Sequence, residues 1–324
     1  LTTATGEVEW PLLRLEGVVD RAAVQRRGPG AFEVMSPFAP EAGEPAGIPS
    51  SNQAPSGLLY ATYFGGGSGD WGEAVAVDEE GTVYVAGATQ SADLPATPGA
   101  FDTSFNGSHD VHVLKVRPGD AAPVYVTFLG GTDGDSAHAI AVDGSGAAYI
   151  TGHTDCYGFP STGEAYDTTC NSPVWGGDAF VVKLDAAGTG LEYATFLGGS
   201  VQEGGFGIAV DRSGAAYVMG VTGSSDFSTT LGAFDTTYNG GTDAFVAKLN
   251  PAGSGLEYAT VLGGAADEWS AGIAVDASRV RTGPGSPQEV GQGGAIGRIP
   301  GKAIHPFRVV RRNKCLLLGC CNPL

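Results

Sequence analysis

The sequence predicts an all-β protein of the β-propeller type, built from four-stranded blades. Three observations lead to this fold class. Four short apolar blocks recur in constant order, glycine accounts for 53 of 324 residues, and charged residues make up only 16%, below the roughly 25% of an average soluble domain. Glycine between short apolar runs indicates tight turns between short strands rather than long helices.

The first recurrent block ends in a pair of glycines. It reads Tyr60-Ala-Thr-Tyr-Phe-Gly-Gly66 in its first copy, and the block tyrosines at 60, 125, 193 and 258 lie 65, 68 and 65 residues apart. Each copy is apolar, rich in aromatic and β-branched residues, and bounded by glycine. Each copy therefore predicts one strand.

The second and third blocks predict a hairpin. The second begins as Val75-Ala-Val-Asp78 and returns at 140–143, 208–211 and 273–276. The third begins as Val83-Tyr-Val-Ala-Gly87 and returns at 148–152 and 216–220. Between them, Asp78-Glu-Glu-Gly81 and its two later copies place aspartate first and glycine fourth, which is typical of a type I turn followed by a left-handed glycine.

A fourth block completes the repeat after a long loop. It is Asp110-Val-His-Val-Leu-Lys115, with copies at 178–183 and 243–248. Four antiparallel strands repeated radially describe a propeller blade. A β-solenoid is the alternative, although its coils are usually shorter and lack a long loop at one fixed place. With the second block innermost, the predicted blades span 73–131, 138–199 and 206–264.

These blocks resemble the bacterial SBBP beta-propeller repeat family over residues 58–276. That family shows a Tyr-x-Thr-aromatic-Leu-Gly-Gly strand, an Ile-Ala-Val-Asp strand, a Tyr-Val-x-Gly-x-Thr strand and an Asp-Ala-Phe-Val-x-Lys-Leu strand. It also carries Phe-Pro in the long loop, which appears here as Leu94-Pro95 and Phe159-Pro160 but departs to Phe227-Ser228. The resemblance implies a propeller in an exported or cell-surface bacterial protein and implies no particular activity.

The charge distribution argues against some partners. Residues 58–276 carry 27 acidic and five basic side chains, whereas 277–324 carry eight basic and one acidic. An acidic repeat region repels nucleic acid and anionic membranes. No apolar run approaches the ~18 residues of a membrane span, and no signal peptide is recognisable.

One carboxylate recurs in the loop after each glycine pair. The four residues are Asp70, Asp135, Glu203 and Glu268. They could bind Ca²⁺ or a cationic partner, but calcium needs six to eight oxygens, and one acid per blade does not supply them. The favoured interpretation is that each carboxylate accepts hydrogen bonds from loop N–H groups. No cofactor is predicted, and calcium is kept as the alternative.

Two histidine patterns look catalytic or metal-binding at first. Ser136 lies in Gly134-Asp-Ser-Ala-His138 but aligns with other residue types in the other copies, and the nucleophile-elbow pattern is absent. His109 and His112 are three apart and would face opposite sides of a strand. His112 also aligns with Phe180 and Phe245, so it is predicted to fill a core aromatic position.

The recurrent tyrosines are predicted to pack between blades. Three tryptophans, Trp71, Trp175 and Trp269, are predicted to lie in loops and are the candidates for contacts with a partner.

A disulfide is predicted between Cys156 and Cys170. Both lie in the long loop of the second repeat, where the other copies have serine and an aromatic residue. A bridge there would indicate an oxidising compartment.

The ends of the repeat region predict an incomplete ring. An outer strand at 58–64 and an inner strand at 271–276 are expected to lack blade partners. Residues 1–57 are unassigned and expected to be poorly ordered. The basic segment 277–324 breaks the repeat and is expected to be disordered or to derive from a frameshift.

The predicted function is a non-catalytic, exported or cell-surface scaffold that binds a protein or glycan. Two alternatives stay open. One is a propeller-type carbohydrate-active enzyme, because such enzymes gather acids from several blades. The other is a truncated fragment without independent function.

Overall fold

The computed structural model describes residues 60–172 and 176–275, together with the backbone of four short strands outside those ranges. Apart from these four strands, the segments 1–57 and 277–324, for which disorder was expected, lie outside the described residues, as does Trp175.

The described chain is all β. Three strands precede the first blade: β1 (Ala23–Arg26), β2 (Ala31–Met35) and β3 (Ala61–Tyr63). The first blade contains β4 (Asp70–Val77), β5 (Val83–Thr89), β6 (Asp110–Val116) and β7 (Tyr125–Leu129). The second contains β8 (Asp135–Val142), β9 (Ala148–Thr154), β10 (Asp178–Leu184) and β11 (Leu191–Leu197). The third contains β12 (Glu203–Val210), β13 (Ala216–Thr222), β14 (Asp243–Leu249) and β15 (Leu256–Leu262). Three strands follow: β16 (Trp269–Ser270), β17 (Val309–Arg312) and β18 (Cys315–Leu318).

Each blade is a four-stranded antiparallel sheet whose strands pair in chain order. The predicted fold class, an incomplete propeller with three four-stranded blades, is confirmed. The hairpin turns also follow the prediction, because Gly81, Gly146 and Gly214 all have positive φ, between 81° and 85°. Aspartate reinforces each turn: Asp78 Oδ1, for example, accepts the N–H of Thr82 at 2.8 Å.

The innermost strand of every blade contains a bulge. The pairing register shifts around Glu73, His138 and Phe206 in β4, β8 and β12. An extra residue on one strand of a pair re-aims a side chain and increases the local twist. The bulge residue differs in every copy, so each blade presents a different side chain at this position.

The long loop of each blade covers its outer strand. In the first blade, Thr97 N–H donates to the carbonyl of Val126 at 2.9 Å, and Phe128 N–H donates to Asp102 at 3.0 Å. The second and third blades repeat this pattern at Thr162 and Thr230. Unpaired edge strands promote association with other chains, so the long loop protects the rim of the blade.

Apolar cores lie between consecutive blades, and tyrosines build them. Tyr84, Tyr125, Tyr149 and Tyr193 are all at most 2% exposed, which agrees with the predicted packing role. The Tyr84 hydroxyl donates to Asp78 of its own blade at 3.1 Å and approaches the carbonyl of Gly146 in the next at 3.3 Å. These contacts tie one blade to the following one.

The flanking strands differ from expectation, because they are not left without partners. β3 pairs with β2, and β16 pairs with β18. The fourth Ile-Ala-Val copy does not form the predicted inner strand: residues 271–275 are not in a strand, and only Trp269–Ser270 is. Elsewhere this block pairs with the third block of its own repeat, and no third block follows it. Among the described residues, no helix is long and apolar enough to cross a membrane.

Candidate functional site

The recurrent loop acids hold the glycine linkers that join successive strands of neighbouring blades. The second glycine of each pair donates its N–H to the carboxylate four residues later. The distances are 2.8, 2.7, 2.8 and 2.8 Å for Asp70, Asp135, Glu203 and Glu268. This is the hydrogen bond to loop N–H groups that the favoured interpretation predicts. That these residues do not bind calcium stays a prediction.

Side-chain hydroxyls also donate hydrogen bonds to three of these carboxylates, Asp70, Asp135 and Glu203. Thr89 donates to Asp70, and Thr222 donates to Glu203, both at 2.6 Å. Asp135 and Glu203 are at most 2% exposed. Burial raises the pKa of Asp135 to about 6 and raises that of Glu203, while these hydrogen bonds oppose the shift. The geometry therefore assigns these acids to the construction of the linker.

A second series of buried acids went unnoticed in the sequence. Asp110, Asp178 and Asp243 begin the third strand of their blades and are fully buried. Each accepts an N–H from its own long loop, at 2.8 to 3.0 Å, from Asn106, Asn171 and Asn239 respectively. The sequence does contain a sign of these acids, because aspartate is the first residue in all three copies of the fourth block. The pattern of that block, however, predicts only a strand.

The two acid series meet at each junction between repeats. Asp178 lies close enough to Glu203 for the charge of one to raise the pKa of the other, and Asp243 stands in the same relation to Glu268. Burial is the larger cause, and it helps to bring the pKa of Asp178 to about 7. Asp178 Oδ1 and Asp243 Oδ1 are buried without a hydrogen-bond partner. Both are fully buried, so neither can touch a large ligand.

The tryptophan placement requires a correction. Trp71 and Trp269 were predicted in loops, but they lie in β4 and β16. In the first blade, β4 starts early because its first residue, Asp70, binds the linker and also pairs with Thr89 of β5. Trp269 is 58% exposed, whereas Trp71 is partly buried. A role for Trp71, Trp175 and Trp269 in partner contacts stays a prediction.

The predicted disulfide between Cys156 and Cys170 is confirmed. The two Cα atoms are 5.5 Å apart across a sequence separation of 14. Cys156 has a φ of 82°, a conformation that costs a non-glycine residue about 1 kcal/mol. The bridge therefore holds the start of the long loop in a conformation that the chain would not otherwise favour.

The histidines divide into a core residue and a cluster. His112 is 2% exposed and packs 5.7 Å from the ring of Phe64, so it fills the predicted aromatic position. His138 and His153 instead meet at the inner side of the second blade, with Nε2 and Nδ1 3.0 Å apart. Sequence reasoning missed this pair, although neither position is a histidine in the other copies.

Comparison with known proteins places part of the chain in a repeat family. Residues 59–95 and 124–160 match the SBBP family, described as a beta-propeller repeat. No curated protein matches the chain. The matched segments contain β3 to β5 and β7 to β9. The third blade lies outside the matched segments, but its strands have the same order and the same pairing. Two segments of the chain, 59–95 and 124–160, therefore carry SBBP beta-propeller repeats.

Proposed function

We propose that this protein is a non-catalytic, exported or cell-surface propeller that binds a protein or glycan ligand. The observation that carries the proposal is that recurrent polar side chains and exposed apolar side chains have different surroundings. Polar residues that recur between blades are occupied in building the blades, whereas Tyr157, Val201 and Trp269 leave exposed apolar side chains at one end of them.

The recurrent polar residues make internal contacts throughout. The loop acids bind the linkers, the turn aspartates bind the hairpins, and the threonine of each outer strand exchanges hydrogen bonds with the long loop, as Thr127 does with Asp102. The recurrent lysines lie over tyrosine rings, with Lys183 5.1 Å from the ring of Tyr149. Repetition here serves the fold rather than a ligand.

Three of the seven exposed large apolar residues in the described part of the chain lie at the linker end of the blades, which we define as the end formed by residues 65–69, 130–134, 198–202 and 263–268. Tyr157, Val201 and Trp269 are 51%, 44% and 58% exposed there. Tyr157 is held against the second linker, because its carbonyl accepts the N–H of Thr132 at 2.6 Å. Exposed aromatic residues are common anchors in binding sites for proteins. The linker end is therefore the proposed binding face.

The placement of the acids supports a scaffold rather than a glycosidase. Glycoside hydrolysis needs two carboxyl groups that reach the scissile bond. The acids whose pKa is brought toward neutrality, Asp135 and Asp178, are buried beneath the linkers and engaged by backbone N–H groups. A sugar could not contact them without unfolding the junction.

The disulfide supports the proposed location. Disulfides persist in secreted, periplasmic and surface proteins and are rare in the cytosol. A bridge between Cys156 and Cys170 is therefore consistent with export.

Glycan and protein arrays, run beside a panel of glycosidase substrates, test this proposal. The labelled full chain should bind without turnover, and Tyr157→Ala and Trp269→Ala should reduce the signal. Glu79→Ala is the matched control, because Glu79 is exposed in the hairpin turn at the opposite end of the first blade. Turnover of any substrate, or equal loss in the control variant, would contradict the proposal.

A further inference from the structure

The strongest departure from the repeat is a cluster of imidazoles in the second blade. Two of the five histidines of the chain, His138 and His153, meet there, and His109 lies near them at the end of the long loop of the first blade. His138 occupies the bulge of β8, where the other blades have Glu73 and Phe206. His153 lies in β9, where they have Ala88 and Val221. Because the repeat folds with other residues at these positions, the fold does not require the histidines.

We propose that His138 and His153 form a binding site for one divalent transition-metal ion of the zinc, nickel or copper type, with Asp155 and His109 beside it. Imidazole nitrogen is a preferred ligand of these ions. The proposal goes beyond the scaffold function and does not depend on it.

The spacing of the two imidazoles suits a shared ion. Nε2 of His138 and Nδ1 of His153 are 3.0 Å apart. Two nitrogens that bind one zinc ion at about 2.0–2.1 Å are separated by roughly 2.9–3.3 Å, depending on the coordination angle. The separation of the two nitrogens is therefore compatible with one ion bound by both.

Aromatic packing fixes the orientation of the pair. The rings of His138 and His153 stack at 5.1 Å, and Phe206 of the third blade stacks on the other side of His138 at 4.9 Å. Both histidines remain partly exposed, so an ion and its remaining water ligands can reach them. A site held in place before binding loses less entropy when the ion arrives.

Two further groups lie beside the pair. Asp155 follows β9 directly, and its charge raises the pKa of His153 whereas His109 lowers it. The side chains of His109 and Asp155 flank Gly134: a Cβ there would stand 3.0 Å from His109 Nε2 and 2.9 Å from Asp155 Oδ2. The hydrogen bond between Ser108 and His109 Nδ1 leaves Nε2 available. Asp155 contributes the negative charge that a dication requires.

Calorimetric titration of the full chain with zinc chloride and then nickel chloride tests the site. The thiols of the cysteines at 315, 320 and 321 should first be blocked by reduction-free alkylation, because thiolates also bind zinc. We expect one ion per chain. His138→Phe and His153→Val, which install the residues of the third blade, should weaken binding at least about tenfold.

The matched control is His112→Phe, because Phe180 and Phe245 occupy that core position in the other blades. Its affinity should equal that of the wild type. In the wild type, zinc should also protect His138 and His153 from diethylpyrocarbonate, measured by mass spectrometry. Failure of the wild type to bind, unchanged affinity in His138→Phe and His153→Val, or unprotected histidines would overturn the proposal and leave an ordinary hydrogen-bonded pair.

Discussion

Replacement of Asp178 by asparagine should stabilise the protein at alkaline pH. In the folded protein the pKa of Asp178 is about 7, raised chiefly by burial and further by Glu203, whereas an unfolded aspartate has a pKa of 3.8. The folded state therefore binds more protons than the unfolded state between these values, so the contribution of Asp178 to stability is full below the unfolded pKa and is lost as the pH rises through 7. Above that pH the ionised carboxylate lowers the free energy of unfolding by a constant amount.

The size of this cost follows from the pKa difference. A shift of about three units corresponds to roughly 4 kcal/mol, an upper value because neighbouring groups relax. Asparagine keeps one oxygen to accept the N–H group of Asn171. Its amide replaces the oxygen that has no partner. We expect Asp178→Asn to raise the free energy of unfolding by about 2–4 kcal/mol near pH 8.5 and to change it little near pH 4.

Urea unfolding of wild type and variant at several pH values measures this difference directly. Asp110→Asn is the matched control, because both oxygens of Asp110 accept backbone N–H groups, at 2.8 Å from Asn106 and 3.1 Å from Gly107. An amide cannot replace both acceptors, so this variant should be less favourable than Asp178→Asn at every pH. Destabilisation by Asp178→Asn of equal size at acidic and alkaline pH would refute the reasoning.

Three further predictions concern the disulfide, calcium and a turn glycine. Reduction of the Cys156–Cys170 bridge should cost about 3 kcal/mol in the chain-entropy view, seen as a lower urea midpoint, whereas Cys156→Ser, which restores the residue of the other blades, should lose its sensitivity to reductant. Millimolar calcium should leave the melting temperature unchanged, since Asp135 and Glu203 are already occupied by N–H and hydroxyl donors; a clear rise that Glu203→Gln abolishes would revive the calcium interpretation. Gly188→Ala should destabilise the protein by more than about 1 kcal/mol, because φ is +73° and a Cβ would stand 2.4 Å from the ring of Tyr125. A Cβ at Gly144 would meet nothing within 4 Å, so Gly144→Ala should be neutral. Equal melting temperatures for the two variants would count against the inter-blade packing.

The repeat made much of the fold predictable. A strand and its turn are local, so Asp78-Glu-Glu-Gly81 was sufficient to predict a hairpin with a left-handed glycine. The alignment of copies also showed that His112 replaces a core phenylalanine, and that the two cysteines of one loop are coincident departures from the pattern. In each of these cases the information lies within one repeat or in the comparison of equivalent positions.

The remaining features depend on contacts between repeats, which spacing alone does not give. Asp178 and Glu203 meet because the end of one blade lies beside the start of the next, and their sequence positions belong to different blocks. His138 reaches His153 only because a bulge re-aims it. The early start of β4 at Asp70 follows from the linker hydrogen bond, so Trp71 was wrongly predicted in a loop.

The central claim, that recurrent acids build the linkers between blades, is tested most directly by amide hydrogen exchange in the full chain. Gly131 and Gly199 donate their N–H groups only to side-chain carboxylates, Asp135 and Glu203, in the hydrogen bonds described above. We predict that both amides exchange as slowly as those of β9, because buried hydrogen-bonded amides open only with the surrounding structure. Exchange as fast as that of the turn amide of Gly144 would contradict the account.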